Sequence, residues 1–435
     1  MNDGATKPSF SELLRAFTRI GLLSFGGPAG QIALMQHELV DRRGWVEQGA
    51  FLRALNLCHL LPGPEAQQLA TWVGWRLHGV KGGLTAGLLF VIPGALVMLG
   101  LSLLYVMAAG LSWFAALFLG IKAAVLAIVA QALLRIGKRA LGTRFKLGMA
   151  LLALLALAVG RVPFPVVIVT AGVIGAIAGR VRPAWLGAHG HGAQPAESGP
   201  SLRRLTSSTA ATLALWLAIW ALPMVAIAAT LGTGHVLWQV GAFFSRLAVV
   251  TFGGAYAVLA YMAQATVEHY HWLAAGEMAD GLGLAETTPG PLIMVTQFVG
   301  FLAAWRSPAP FTPLAAGLLG AGLTTWVTFA PCFLWIFACA PWMDRLERAP
   351  TLQSALAAIT AAVVGVVASL ALWFAAHVLF VRPSGGPWGL PDPVTLNWRA
   401  ALIGLTAIVL LFRAKRGVLE VLAVCALGGL VLARL

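Results

Sequence analysis

One broken motif occurs twice in this chain, and the repetition limits what the chain can fold into. "FTRIGLLSFGGPAG" (Phe17 to Gly30) returns as "FSRLAVVTFGGAYA" (Phe244 to Ala257), so that Arg19 pairs with Arg246, Ser24 with Thr251, and Phe25-Gly26-Gly27 with Phe252-Gly253-Gly254, all 227 positions apart. The same spacing takes Asp41 to Glu268, Trp45 to Trp272, and Pro62-Gly63-Pro64 to Pro289-Gly290-Pro291. Four motifs in constant register over about 45 residues mark a tandem duplication. The division expected is a first repeat over 1–181, a linker over 182–206, and a second repeat over 207–435 with one extra leading helix. The linker, "RPAWLGAHGHGAQPAESGPS" (Arg182 to Ser201), is rich in Gly, Pro, His and Ser.

These motifs sit in a chain built for lipid. It has 435 residues, 59% hydrophobic and 10% charged, with a mean hydropathy of +0.86, whereas soluble domains carry roughly 25% charged residues. Apolar stretches of spanning length or near it recur at Leu84 to Ala109, Leu111 to Leu134, Thr209 to Leu231, Leu352 to Phe380, and Ala400 to Phe412 with its continuation. Barrel-type alternation is lacking, so the expectation is an all-α polytopic membrane protein. The start, "MNDGATKPSFSELLRAF", has no signal-peptide pattern, which keeps the first apolar segment in the mature chain. Cys58, Cys332, Cys339 and Cys425 lie in apolar surroundings without a CxxC pair and read as buried free thiols. The net charge of +14 gathers in short connections: Arg135 to Lys146, Arg180 and Arg182, Arg203 and Arg204, and Arg413 to Arg416. That is the positive-inside pattern of cytoplasmic loops rather than a nucleic-acid surface.

Loop charge also orients the halves. Gln36 to Arg53 holds Arg42, Arg43 and Arg53, while its counterpart Gln264 to Asp280 holds no Lys or Arg. Equivalent loops therefore face opposite sides, giving an inverted-topology repeat. If Gln36 to Arg53 and Arg76 to Gly83 are both cytoplasmic, the segment between them enters and returns, turning at Pro62-Gly63-Pro64. The Gly26-Gly27-Pro28 segment is then re-entrant or discontinuous by the same logic; a count in which each broken segment crosses once stays open.

A Gly-Gly-Pro or Pro-Gly-Pro break at membrane depth frees backbone groups, each costing several kcal/mol in hydrocarbon. It survives where it is buried in protein or lines a watery cavity. Pro28 and Pro64 suit the first turn of a new helix, so each break starts a half-helix with roughly +0.5 of effective charge at its N-terminus. Four such ends, roughly +2 in sum, suit a small dianion. Arg19 and Arg246, two helical turns before the glycines, are candidate anion ligands, with interfacial snorkelling as the alternative for Arg19. Ser24, Thr251 and the backbone N–H groups of Gly26, Gly27, Gly253 and Gly254 are candidate donors. For the two hydroxyls, back-bonding to their own helix is the alternative. Glu65 and Glu286 flank the Pro-Gly-Pro motifs and are candidates for proton coupling, although Glu65 also suits a plain first turn. Asn56, His59, Gln67 and Gln68 either line the cavity or serve as interhelical packing.

No GxxxxGK[ST], GxSxG or HExxH occurs, which argues against an ATP-driven pump or a membrane hydrolase. His189-Gly190-His191 lacks further ligands for a structural metal. No cofactor is expected, and the chain reads as a transporter, not an enzyme. "FTRIGLLSFGGPAGQIALM", the following "ELVDRRGWVEQGAFLRALNLCHLLPGPEAQQLATWVGWRLHGVKGGLTAGLLFVIPG", and the second "TFGG…TPGP" set resemble the chromate ion transporter family in its long two-domain form. The resemblance implies an inner-membrane exporter of chromate that confers chromate resistance, with sulfate as competing analogue. It maps the family's motifs onto Phe25, Gly26, Gly27 and Pro28, and onto Pro62, Gly63 and Pro64. Ala255 replaces the proline in the second copy, which makes the half-sites unequal. Uptake of sulfate or another oxyanion, an anion channel on the same half-helices, and a cofactor-dependent chromate reductase are the other readings. Oligomeric state is not legible.

Overall fold

Proline and glycine decide where the first helices stop. The computed structural model describes residues 8–25, 27–108, 110–187, 202–252, 255–347, 349–381 and 391–434. Gly26, Gly253, Gly254 and His189 to His191 lie outside the described residues. Helix α1 (Phe10–Leu23) opens on a Ser9–Glu12 capping box and stops at Ser24. α2 (Gly27–Gln36) restarts the chain with Gly27 at φ 70° and Pro28 in its first turn, and runs into a π-helical turn at His37–Asp41. α3 (Gln48–Leu60) ends at the first Pro-Gly-Pro, after which α4 (Glu65–Ala108) begins. α4 is not one rod. His78 and Gly79 (φ 60°, ψ −153°) fold it back on itself, with Gly74 packed against Gly82 between the two arms. α5 (Ser112–Ala140), α6 (Arg144–Ala158) and α7 (Phe164–Val181) follow, and α8 (Leu202–Thr230) leads into the second series.

That series repeats the first. α9 (Val236–Val250) stops at Thr251, and α10 (Ala255–Gln264) runs into its own π-helical turn at Ala265–His269. α11 (Ala275–Thr287) ends at the second Pro-Gly-Pro, then come α12 (Val295–Arg306) and α13 (Pro313–Cys339). α14 (Met343–Glu347), α15 (Pro350–Leu379), α16 (Trp398–Ile408) and α17 (Val418–Leu432) complete the chain. Among the described residues there is no strand beyond one isolated bridge between Phe380 and Leu396. Six helices among the described residues are long and apolar enough to cross a membrane: α4, α5, α7, α8, α13 and α15. The apolar run at Ala400 to Phe412 instead forms the short α16 and its π-helical end.

Contacts at the helix ends decide between crossing and returning. The His78 ring lies 2.9 Å from the Pro8 carbonyl, so α1 starts on the face where α4 turns back. In the second half His235, at the start of α9, meets the Ala309 carbonyl between α12 and α13 at 2.7 Å. Arg306 at the end of α12 pairs with Glu277 in the first turn of α11 and donates to the Trp272 carbonyl at 2.6 Å. α11 and α12 are therefore a hairpin that enters and leaves by one face. Glu38, just past α2, is held by Arg19 of α1, which returns α2 alongside α1. The second arm of α4 and its equivalent, α13, run antiparallel: Gly83 packs on Phe337 and Gly87 on Phe333. One half is thus upside down relative to the other.

The halves are also interleaved. α15 of the second half packs on α6 and α7 of the first, and α5 of the first packs on α16 and α17 of the second. Glycine permits the close approach, Gly365 lying on the Ala150 carbonyl and Gly429 on the Ala116 carbonyl. The face shared by the start of α1 and the tip of α4 carries Arg42, Arg43, Arg76 and Lys81, and α5 ends there with Lys138 and Arg139. On the other face, residues 231–235 and 307–312 hold no Lys or Arg.

The glycines at the centre should be intolerant of any side chain. Gly290 has φ 88°, and a methyl on Gly94 would collide with the Pro289 carbonyl. Gly290→Ala and Gly94→Ala should each lower stability by about 1–3 kcal/mol or more. Gly428→Ala, in open space, should be neutral. Thermal unfolding in detergent checks this; equal midpoints for all three would refute it.

Candidate functional site

The four chain breaks meet at the centre of the molecule. The Gly63 N–H of the first Pro-Gly-Pro donates to the Thr251 carbonyl at 2.9 Å, and the Gly290 N–H of the second donates to the Ser24 carbonyl at 2.8 Å. Each half's Pro-Gly-Pro therefore satisfies the other half's broken helix. The Gln68 amide covers the Pro62 carbonyl at 2.7 Å and the Gln31 amide covers the Gly290 carbonyl at 2.6 Å. Pro93-Gly94 lies on Gly290, and Pro331-Cys332 takes the same place against Gly63. Both turns are buried, so Pro62, Gly63, Pro64, Pro289, Gly290 and Pro291 form the seam between the halves rather than an open binding surface.

Two further pairs of candidate residues have partners of their own. The Ser24 and Thr251 hydroxyls are buried and donate to the Ile20 and Leu247 carbonyls, each at 2.6 Å. A back-bonded hydroxyl has its only proton engaged, which is the alternative the sequence offered for both. Arg19 and Arg246 do not line the central cavity. Arg19 is about half exposed and ion-paired at 3.7 Å to Glu38, which is buried and also holds Arg42 at 3.2 Å and Arg43 at 3.5 Å. Arg246 donates to its own helix at the Ala242 carbonyl and to the Tyr270 hydroxyl at 3.1 Å. Both arginines tie the first arm of a hairpin to the loop beyond its second arm.

Beside the seam lies a cavity of ≈ 250 Å³. Three half-helix starts reach it: Gly27, Pro28 and Ala29 of α2, Glu65 of α4, and Ala255 and Tyr256 of α10. First-turn N–H groups have no acceptor within their own helix, and each end carries roughly +0.5 of effective charge. Phe25, which precedes the α2 start, is half-buried. The cationic side chains in the wall come from an element that loop-charge reasoning set aside. Arg135 and Arg139 stand four residues apart on one face of α5, with Gln131 a further turn back accepting from Arg135 at 3.5 Å. The charge pattern of the sequence places them in a connection, but α5 continues helical to Ala140. The spacing 131, 135, 139 on an apolar helix was the signal available.

Glu65 and Glu286, one from each half, come together in this cavity with His59. Tyr256 donates to Glu286 at 2.9 Å. Asn56 is exposed outside the lining, and Gln67 and Gln68 are buried packing residues. Cys58, Cys332 and Cys425 are buried free thiols, and Cys339 is partly exposed. Among the described residues no group of His, Cys, Asp and Glu could hold a metal ion. Two guanidinium groups and three helix starts set against two carboxylates leave a cavity of roughly +1.5, which suits a small anion.

The comparisons agree with this architecture. The sequence profile described as chromate transporter matches residues 11–176 and 238–431, one region in each half. A chromate transport protein of Cupriavidus metallidurans is 28% identical over 418 residues, covering 94% of this chain and 90% of that protein. One from Pseudomonas aeruginosa is 32% identical over 363 residues, 82% of this chain and 79% of that protein. A probable chromate transport protein of Synechococcus elongatus is 28% identical, with 83% of each chain covered. No solved structure matches. With its duplicated halves, its apolar crossing helices and a profile match across both repeats, this chain belongs to the chromate transporter family.

Proposed function

We propose that this protein is a secondary transporter that exports chromate from the cytoplasm across the inner membrane, giving chromate resistance, with sulfate as a competing analogue. The observation that carries the reading is the convergence of Arg135, Arg139 and three half-helix starts on one cavity. The matched relatives described as chromate transport proteins support the choice of oxyanion. The positive-inside rule assigns the basic face to the cytoplasm. The cavity then opens inward, because Arg139 and Ile136 belong to the last turns of α5 on that face. Moving a dianion out of an inside-negative cell gains about 4.6 kcal/mol per 100 mV, so export needs no nucleotide. One upside-down repeat rocking against the other provides alternating access.

In this reading the seam residues Pro62 to Pro64 and Pro289 to Pro291, together with Ser24 and Thr251, hold the breaks in place. Gly27 and Pro28 shape the α2 start that receives the anion. Glu65 and Glu286 compete with it for the arginines. A bound dianion raises the cost of keeping both carboxylates ionised, so anion binding and proton uptake are linked. Chromate and sulfate share charge and shape, and size and hydration are what a pocket can read between them.

Chromate accumulation in cells tests the direction. At equal membrane levels, wild type should lower internal chromate and excess sulfate should blunt the effect. Arg135→Gln and Arg139→Gln should each weaken transport about tenfold or more, as loss of a charge-assisted hydrogen bond implies. Arg19→Ala and Arg246→Ala should remain within about twofold, since exposed pairs contribute little. Raised internal chromate would point to uptake, and conductance without saturation to a channel; loss of transport only in Arg19→Ala and Arg246→Ala would overturn the cavity assignment.

Glu286→Gln should bind chromate more tightly and flatten the dependence of binding on pH. The sign follows from linkage: if binding takes up protons, affinity falls as pH rises, and removing a carboxylate removes part of that slope. An unchanged slope in both Glu286→Gln and Glu65→Gln would exclude them from coupling.

A further inference from the structure

α5 and α11 meet twice. At one end they contribute Arg135, Arg139 and Glu286 to the cavity. Towards the other face they are joined by a buried ion pair, Lys122 Nζ lying 3.1 Å from Asp280 Oδ1. Asp280 is only 4% exposed, and its second oxygen accepts from the Tyr105 hydroxyl of α4 at 2.8 Å. Tyr105 is in turn wedged edge-on among Phe114, Phe118 and Phe298. Lys122 precedes Arg135 by thirteen residues on α5, about 20 Å along the axis, towards the face of residues 231–235 and 307–312.

Two features make this joint one that can open. The Lys122 ammonium lies against the first turn of α11, where a Cβ on Gly276 would be 3.3 Å from Nζ. A cation at a helix N-terminus is opposed by the helix dipole, so Asp280 is what retains it. A buried ion pair also spends most of its Coulomb gain on desolvation, and an apolar pair of similar volume would hold the helices at least as well. Of the neighbouring charges, Glu277 and Arg306 pair with each other.

We infer that Lys122, Asp280 and Tyr105 form the lock that keeps the cavity closed towards the non-basic face, and that their separation is the step that opens it there. This rests on the alternating-access reading above. The three are positioning residues, acting on the anion through the helices that carry the cavity.

Side-specific labelling tests it. All four native cysteines are replaced, a single cysteine is placed at the cavity residue Ala132, and an impermeant thiol reagent is applied from either face of oriented membranes. The parent should react from the basic face, and chromate should protect it. Lys122→Met and Asp280→Asn should each raise labelling from the opposite face about tenfold or more, because the remaining buried charge disfavours the closed state. Tyr105→Phe should do so more weakly. The exchanged pair, Lys122→Asp with Asp280→Lys, should reverse the opening to about the level of Tyr105→Phe, because it restores the ion pair but not the carboxylate to which Tyr105 donates. Single variants that stay in the membrane at parent levels with unchanged sidedness would overturn the lock, as would opening in the single variants that the exchanged pair does not reverse. If the singles fail to accumulate, unchanged sidedness in Tyr105→Phe and the exchanged pair's failure to transport decide against it. A parent cysteine that chromate does not protect would instead overturn the cavity reading, so the two failures are distinct.

Discussion

Every peptide group left outside a helix at the centre of a membrane protein has to find its partner inside the protein, because hydrocarbon offers none. Here that requirement is met by two reciprocal hydrogen bonds, Gly63 to Thr251 and Gly290 to Ser24. Each joins a Pro-Gly-Pro turn of one half to a broken helix of the other. Neither half can satisfy its own breaks, so the antiparallel pairing of the halves is a condition of burying them at all. The glycines follow from the same demand: Gly94 has to be bare for the Pro289 carbonyl to reach its place.

Once the Pro-Gly-Pro turns are committed to the seam, what remains available is the starts of α2, α4 and α10, and these open onto the cavity. Backbone dipoles alone would leave a diffuse positive region. α5 brings Arg135 and Arg139 to its wall, and Glu65 and Glu286 add two carboxylates. The same helix carries Lys122, paired with Asp280 of α11, towards its other end.

Much of the architecture was legible in residues. The fixed 227-residue register, the Gly-Gly-Pro and Pro-Gly-Pro breaks and the uneven loop charge led to two related halves with returning helices. Side-chain roles were less legible. Arg19 and Arg246 recur in both copies because each braces its hairpin, to Glu38 in one case and Tyr270 in the other, and duplication preserves a brace as faithfully as a ligand. Ser24 and Thr251 stand beside the breaks, yet a hydroxyl four residues past a helical carbonyl has a nearer acceptor than any guest. Arg135 and Arg139 were hidden by their company: in a cluster of basic residues near a helix end, the positive-inside pattern and a cavity wall look alike, and only the 3.6-residue period separates them. Gln31 gave no sign, because its partner Gly290 is distant in sequence.

The interleaving of the two halves has a bearing on how the chain is made. α5 emerges from the ribosome nearly three hundred residues before its partners α16 and α17, and α6 and α7 likewise precede α15. During that interval the first half sits in the bilayer with the faces of α5, α6 and α7 uncovered, and until Thr251 and Gly290 arrive its Gly63 N–H and Ser24 carbonyl are unmatched. Its final packing is therefore a late event, set by arrival of the last three helices, and a chain cut short before α15 keeps the partners of the seam but leaves α5, α6 and α7 without theirs.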